Sequence, residues 1–169
     1  IVVSTVMSNY GFKQAIEKFN FDLIETPVGD KYVAEAMKKY DAALGGEQSG
    51  HIIISDLLPV GDGLVTLIYV LKAMQHFGVA LSDFKREHLY EYPQKLTNLE
   101  LKNKLNDEEL EYINQIALDM SIKKDLDGRY LIRNSGTEPL LRVLVEAKSN
   151  EAMEDFSNEL ITKINKYLN

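Results

Sequence analysis

The 169-residue chain has no cysteine, no tryptophan and only four prolines. Without cysteine, disulfides, zinc–thiolate sites and cysteine nucleophiles are excluded, and a reducing compartment is the natural setting. Positive charge is also scarce: 19 lysines and arginines face 26 aspartates and glutamates, for a net charge of −7. No basic block can neutralise a nucleic-acid backbone, so no nucleic-acid partner is expected, and an anion would have to be held by local groups against an unfavourable field. Long apolar runs are missing as well. The longest, Leu64 to Leu71, is far shorter than a bilayer span and is interrupted by Thr66 and Tyr69, so no membrane partner is expected. The chain opens on Ile1-Val2-Val3, with neither methionine nor a charged leader, which suggests a piece of a longer polypeptide.

What is present is ordinary in amount, at 45% hydrophobic and 27% charged residues, and that is enough for one or two domains with real cores. The distribution of arginine is less ordinary. There are four, against 15 lysines, and three of them, Arg129, Arg133 and Arg142, bracket Asn134-Ser135-Gly136-Thr137-Glu138-Pro139. Two runs with strand character flank this turn. Ser135 and Thr137 can donate hydroxyl hydrogen bonds, Gly136 allows backbone N–H groups to approach an oxyanion, and the guanidinium fork matches a phosphate. The same residues would equally suit a tight hairpin connection with no ligand.

Read in order, the chain begins with a β-branched run, Ile1 to Met7, followed by Ser8-Asn9-Tyr10-Gly11 and a helix carrying Phe12, Ala15, Ile16 and Phe19 on one face. A strand over Phe21 to Glu25 follows, then a helix capped by Asp30 with Val33, Met37 and Tyr40 aligned, and a short strand over Ala42 to Leu44. Alternating strands and helices predict a mixed, mostly parallel sheet with flanking helices, and ligand loops at the carboxyl ends of its strands. One such loop is Gly45-Gly46-Glu47-Gln48-Ser49-Gly50-His51. Glu47 can accept from vicinal hydroxyls, Gly46 frees the backbone, Ser49 can donate and accept, and His51 can act as acid or base near neutrality. Against these roles stand a solvated turn carboxylate for Glu47 and a structural histidine at a strand start for His51.

Asp62 lacks the further carboxylates a magnesium site needs and reads as the N-cap of a helix from Leu64 to about Phe77, apolar on most sides and expected to be buried, with Gly78 closing it. Periodicity fades from Ser82 to Glu100, and Ser82 to Pro93 reads as a linker between two domains, 1–86 and 87–169. The second should be a small α+β domain. A strand near Leu96 to Leu101 leads to the capping box Asn106-Asp107-Glu108-Glu109 and its helix, with Leu110, Ile113, Ile116 and Met120 inward; two strands then surround the arginine-rich turn, and a last helix, capped by Ser149 or Asn150, aligns Met153, Phe156, Leu160 and Ile164.

With both loops in hand, the sequence resembles the α-D-phosphohexomutase superfamily over essentially its whole length. Gly45 to His51 looks like the sugar-binding loop of that family's third domain, and Arg133 to Pro139 like the phosphate-binding loop of its fourth; Thr26-Pro27-Val28-Gly29-Asp30-Lys31-Tyr32-Val33 and Thr5-Val6-Met7-Ser8-Asn9 carry the likeness further, toward members acting on glucosamine phosphates. The resemblance implies a cytoplasmic four-domain enzyme that moves a phosphoryl group between the 6- and 1-positions of a hexose phosphate, using a phosphoserine on domain 1 and Mg²⁺ held by three aspartates on domain 2. Neither pattern occurs here, so the chain resembles domains 3 and 4 alone, is expected to be inactive by itself, and holds no metal. Its partners would be a phosphosugar and the missing domains 1 and 2, with a homodimer left open. By this resemblance Arg133, Ser135, Gly136 and Thr137, with Asn134 as an addition, grip a phosphate; Arg142 touches it or, the preferred reading, supports the loop; Glu47 and Ser49 meet ring hydroxyls. Lys31 is a lesser candidate, its alternative being an exposed lysine at a helix start. Another hexose phosphate, or a non-catalytic phosphosugar-binding module, are the alternatives.

Overall fold

A computed structural model describes residues 1–168. The chain divides into two units, Ile1–Glu91 and Tyr92–Asn169.

In the amino-terminal unit the strands are β1 (Val2–Thr5), β2 (Leu23–Thr26), β3 (Leu44–Gly46) and β4 (Ile52–Ile54), and the helices are α1 (Tyr10–Lys18), α2 (Asp30–Tyr40), α3 (Gly63–Phe77) and α4 (Leu81–His88). The sheet order is β2-β1-β3-β4; β1 runs parallel to β2 and β3, and β4 returns antiparallel to β3. This is the mixed, mostly parallel sheet that alternating elements require. Its core is small: Val3, Val33, Met37, Ala42 and Ile53. α2 covers one sheet face with Val33 and Met37. β3 lies two residues later than its expected span, so Gly45 and Gly46 are strand residues. A Cβ on Gly45 would sit 2.5 Å from the Met37 sulfur and 2.9 Å from Val33 Cγ1, which makes Gly45 a packing glycine at the sheet–helix contact.

Local signals set the helix ends. Asn9 Oδ1 accepts from Gly11 N–H, and Asp62 Oδ1 accepts from Leu64 and Val65 N–H at 2.9 Å each. Gly78, at φ 68°, closes α3 in the left-handed conformation. For α2 the expected cap is displaced. Gly29 (φ 135°) holds the N-cap position and Asp30 is the first helical residue, its carboxylate taken by Lys31 N–H.

Two expectations for this unit are overturned. α3 buries none of its residues. Leu64 is 74% exposed, and Leu67, Ile68 and Leu71 are 52–53% exposed; within its own unit the helix touches the sheet along β4. The span read as a linker instead forms α4, whose Phe84 stacks on Phe19 with ring centroids 6.4 Å apart and touches His88 at 4.5 Å. Beyond α4 the chain stays on this unit: a Cβ on Gly11 would meet Tyr90 O at 1.6 Å, so residues to Glu91 pack with it and the division falls five residues after the expected one.

The carboxyl-terminal unit holds β5 (Gln94–Glu100), α5 (Asp107–Lys123), β6 (Gly128–Asn134), β7 (Leu140–Ala147) and α6 (Asn150–Leu168), with an antiparallel sheet ordered β5-β7-β6. β7 is central and buried on both sides, and the two helices pack over it: Ile113, Ala117 and Met120 of α5, and Met153, Phe156, Leu160 and Ile164 of α6, meet Leu141, Val143 and Val145. The capping box is formed in both directions, Asn106 with Glu109, and Ser149 Oγ accepts from Ala152 N–H. Leu110 and Ile116 are half-buried at the edge of this core.

Candidate functional site

The structure gathers the candidate residues into two loops, one on each unit. In the carboxyl-terminal unit, β6 and β7 form a hairpin closed by Ser135 to Pro139. Ser135 N–H donates to Leu140 O at 2.7 Å, and the buried Ser135 hydroxyl accepts from Glu138 N–H at 3.4 Å. The turn is therefore tied at its base, while Gly136 and Thr137 are exposed at its tip. Gly136 has open space where a Cβ would be.

Arg133 and Arg142 are direct cross-strand partners in this hairpin. Opposed residues of an antiparallel pair project to the same face, and like charges so placed repel. The Arg133 guanidinium is accordingly pulled below its usual range, first by burial and then by the charge of Arg142. Arg142 Nε is buried without a hydrogen-bond partner, and Glu138 lies 3.8 Å from its Nη2. Two adjacent cations and an unmet donor beside a turn with free N–H groups favour an anion. Lys104 adds a further positive charge, donating through Nζ to Gly136 O at 2.6 Å. It lies 32 residues earlier in a polar stretch, and nothing in the local pattern marks it.

Two neighbours are occupied elsewhere. Asn134 donates through Nδ2 to Leu105 O at 2.9 Å and accepts through Oδ1 from Leu105 N–H at 3.3 Å, so its side-chain amide is engaged with the chain before α5. Arg129, for which no role is read from sequence, donates through Nε to Glu146, a fully buried carboxylate directly across the hairpin.

In the amino-terminal unit, Glu47, Ser49 and His51 share one short turn between β3 and β4. Glu47 N–H donates to His51 O, and Gly50 N–H donates to Glu47 O, both at 3.0 Å. The Glu47 side chain is only 9% exposed; Oε1 accepts from Gly29 N–H at 2.7 Å and Oε2 lies 3.6 Å from His51 Nδ1. Ser49 Oγ is 3.4 Å from the same nitrogen. Glu47 thus ties its loop to the turn ahead of α2, a link 18 residues long that no spacing rule reveals. Gly46 lies at the end of β3, where a Cβ would meet His51 O at 2.9 Å. Ser49 and His51 are open to solvent. Lys31 stands apart, 75% exposed and 3.8 Å from Glu35.

Among the described residues no three acidic, histidine or cysteine side chains converge to hold a metal ion, and Asp62 is occupied as a cap. Among the described residues no single helix is long and apolar enough to cross a membrane; α3 and α4, bent at 76° to each other, reach that length and composition as a pair.

Known proteins match both units. Residues 1–92 match the family model for phosphoglucomutase/phosphomannomutase, alpha/beta/alpha domain III, and residues 96–163 the model for the C-terminal domain of the same family. Phosphoglucosamine mutase of Bacillus subtilis (strain 168) is 42% identical over 160 residues, covering 95% of this chain and 36% of that protein. The phosphoglucosamine mutase of Streptococcus agalactiae serotype Ia is 46% identical over 155 residues, covering 90% and 34%. Among solved structures, N-acetylphosphoglucosamine mutase of Aspergillus fumigatus superposes with a TM-score of 0.81 at 20% identity, over 99% of this chain and 38% of that one. The chain spans about a third of the length of the relatives it matches. Its two units, with a mixed sheet in one and an antiparallel hairpin sheet in the other, are those of domains III and IV, and the chain belongs to the phosphoglucomutase/phosphomannomutase family.

Proposed function

We propose that this chain is the substrate-gripping part of a phosphoglucosamine mutase, which interconverts glucosamine 6-phosphate and glucosamine 1-phosphate through a bisphosphate intermediate. The observation that carries the reading is the Arg133–Arg142 pair beneath the Ser135–Pro139 turn, an arrangement that repels itself until an anion joins it. Identity above 40% to proteins bearing the phosphoglucosamine mutase name supports the choice of sugar.

Phosphoryl transfer depends mainly on positioning and charge stabilisation. In this proposal the Arg133 guanidinium and the Gly136 and Thr137 N–H groups hold the phosphate that is not being transferred, with the Ser135 hydroxyl donating to it. Arg142 backs the loop. Glu47 Oε2 and Ser49 Oγ meet ring hydroxyls, while Gly29 N–H keeps the Glu47 carboxylate in a fixed pose through Oε1. A grip on one phosphate and two hydroxyls can be met in either orientation of a bisphosphate, which a mutase requires. The phosphoserine and the Mg²⁺ that activate transfer belong to other parts of such an enzyme. The described residues offer that ion no ligand set.

Titrating the chain with glucosamine 6-phosphate, mannose 6-phosphate, glucose 6-phosphate and inorganic phosphate, while following amide resonances, tests this. Gly136 and Thr137 should shift with all four, Ser49 and His51 only with the sugars, and glucosamine 6-phosphate should bind tightest. Silence at Gly136 and Thr137 would remove the pocket. Equal affinity for the three sugars would remove the glucosamine assignment alone.

A further inference from the structure

The segment from Leu101 to Asn106, between β5 and α5, leaves one edge of the carboxyl-terminal sheet and passes the end of β7 to reach β6 at the other edge. Both ends of its path are tied to the hairpin. Leu101 N–H donates to Pro139 O at 2.9 Å, and Leu105 is held through both of its backbone groups by the Asn134 side chain. Asn134 ends β6 and Pro139 precedes β7, so the ties fall on either side of the turn tip. Leu101 and Leu105 also pack against the core, which anchors the segment as a strap. Lys104 lies between the two ties, and its Nζ donates to Gly136 O at 2.6 Å.

That bond falls on the Gly136–Thr137 peptide, at the exposed tip of the turn. Gly136 has no side chain to pack, with open space where a Cβ would be, and among the described residues no backbone partner takes the Thr137 N–H. In a planar trans peptide the C=O and the N–H point in opposite directions. A carbonyl turned toward a bound anion would repel it. An ammonium seated on the oxygen holds the carbonyl away, leaves the Thr137 N–H as the end presented to the anion, and polarises the peptide so that this N–H donates more strongly. We infer that Lys104 is a positioning residue for the phosphate turn, acting through the Gly136–Thr137 peptide and not by touching the phosphate, an assignment that rests on the phosphate site proposed above. Both partners are exposed, so the bond orients the peptide and adds little to stability.

Lys104→Met, which keeps the stem and drops the ammonium, tests this in the 169-residue chain. Inorganic phosphate and glucosamine 6-phosphate are titrated against parent and variant at about 50 mM and about 500 mM NaCl, with amide and carbonyl resonances followed. Before any ligand is added, the variant should show moved Gly136 carbonyl-carbon and Thr137 amide resonances and an unchanged thermal midpoint. It should bind both ligands about fivefold more weakly at either salt concentration, and Lys104→Arg should recover affinity to within about twofold of the parent. Unmoved ligand-free resonances would mean that the ammonium does not rest on Gly136 O, and a difference in affinity that vanishes at high salt would mean that Lys104 supplies only a screened charge. Either result overturns the assignment. Equal affinity in parent and Lys104→Met, with Gly136 and Thr137 responding in both, would overturn it and leave the phosphate site standing. A parent whose Gly136 and Thr137 ignore both ligands would remove the phosphate site, and the role of Lys104 with it.

Discussion

α3 and α6 are the two most informative helices to compare. Both carry apolar residues at helical spacing, yet Met153, Phe156, Leu160 and Ile164 of α6 are 0–5% exposed, whereas Leu64, Leu67, Ile68 and Leu71 of α3 are 52–74% exposed. The difference lies in what each helix has beside it. α6 lies over β7 and α5, and that unit closes its own core; α3 meets the edge of a sheet whose core is five residues. Apolar periodicity therefore says that a face is meant to be covered, and says nothing about whether the covering surface lies in the same unit.

The comparison can be broken most sharply by truncating one buried and one open residue. Phe156→Ala should cost about 3–5 kcal/mol of unfolding free energy, and Leu67→Ala should stay within about 0.5 kcal/mol of the parent, both read from urea melts of the intact chain. Comparable losses would show that α3 is covered after all. Within the carboxyl-terminal unit, Arg129→Ala should cost about 3–5 kcal/mol, because it removes a guanidinium that neutralises the fully buried Glu146 carboxylate. Restored stability in an Arg129→Ala, Glu146→Leu double variant would confirm that the loss comes from the unneutralised charge. In the amino-terminal unit, Gly45→Ala should cost about 1–3 kcal/mol by pressing a Cβ into Met37 and Val33. A neutral Gly45→Ala would mean that α2 sits more loosely on the sheet than its geometry indicates.

Much of the architecture is legible in the sequence because short-range chemistry sets it. Asn106 with Glu109, Asp62 and Gly78 are caps whose partners lie within four residues, and α6 announces its inward face directly. α4 escapes such a reading because it is one short amphipathic stretch whose polar face, Lys85 and Arg86, resembles a linker, while its anchor, Phe19, lies 65 residues earlier. The candidate site divides along the same line. The chemistry of Arg133, Ser135, Gly136 and Thr137 shows in residue type alone. The engagement of Asn134 with Leu105, the pairing of Arg129 with Glu146, the Gly29–Glu47 tie and the arrival of Lys104 at Gly136 are long-range bonds that depend on the finished fold.

The repulsion between Arg133 and Arg142 separates a ligand-binding pair from a structural one, since a residue kept for the fold should stabilise it and a residue kept for an anion need not. Arg133→Ala, measured for glucosamine 6-phosphate affinity and thermal midpoint in the same samples, is the most direct test. Loss of one charge-assisted contact should weaken binding about tenfold or more while the midpoint holds or rises. Unchanged affinity together with a lowered midpoint would contradict the phosphate site.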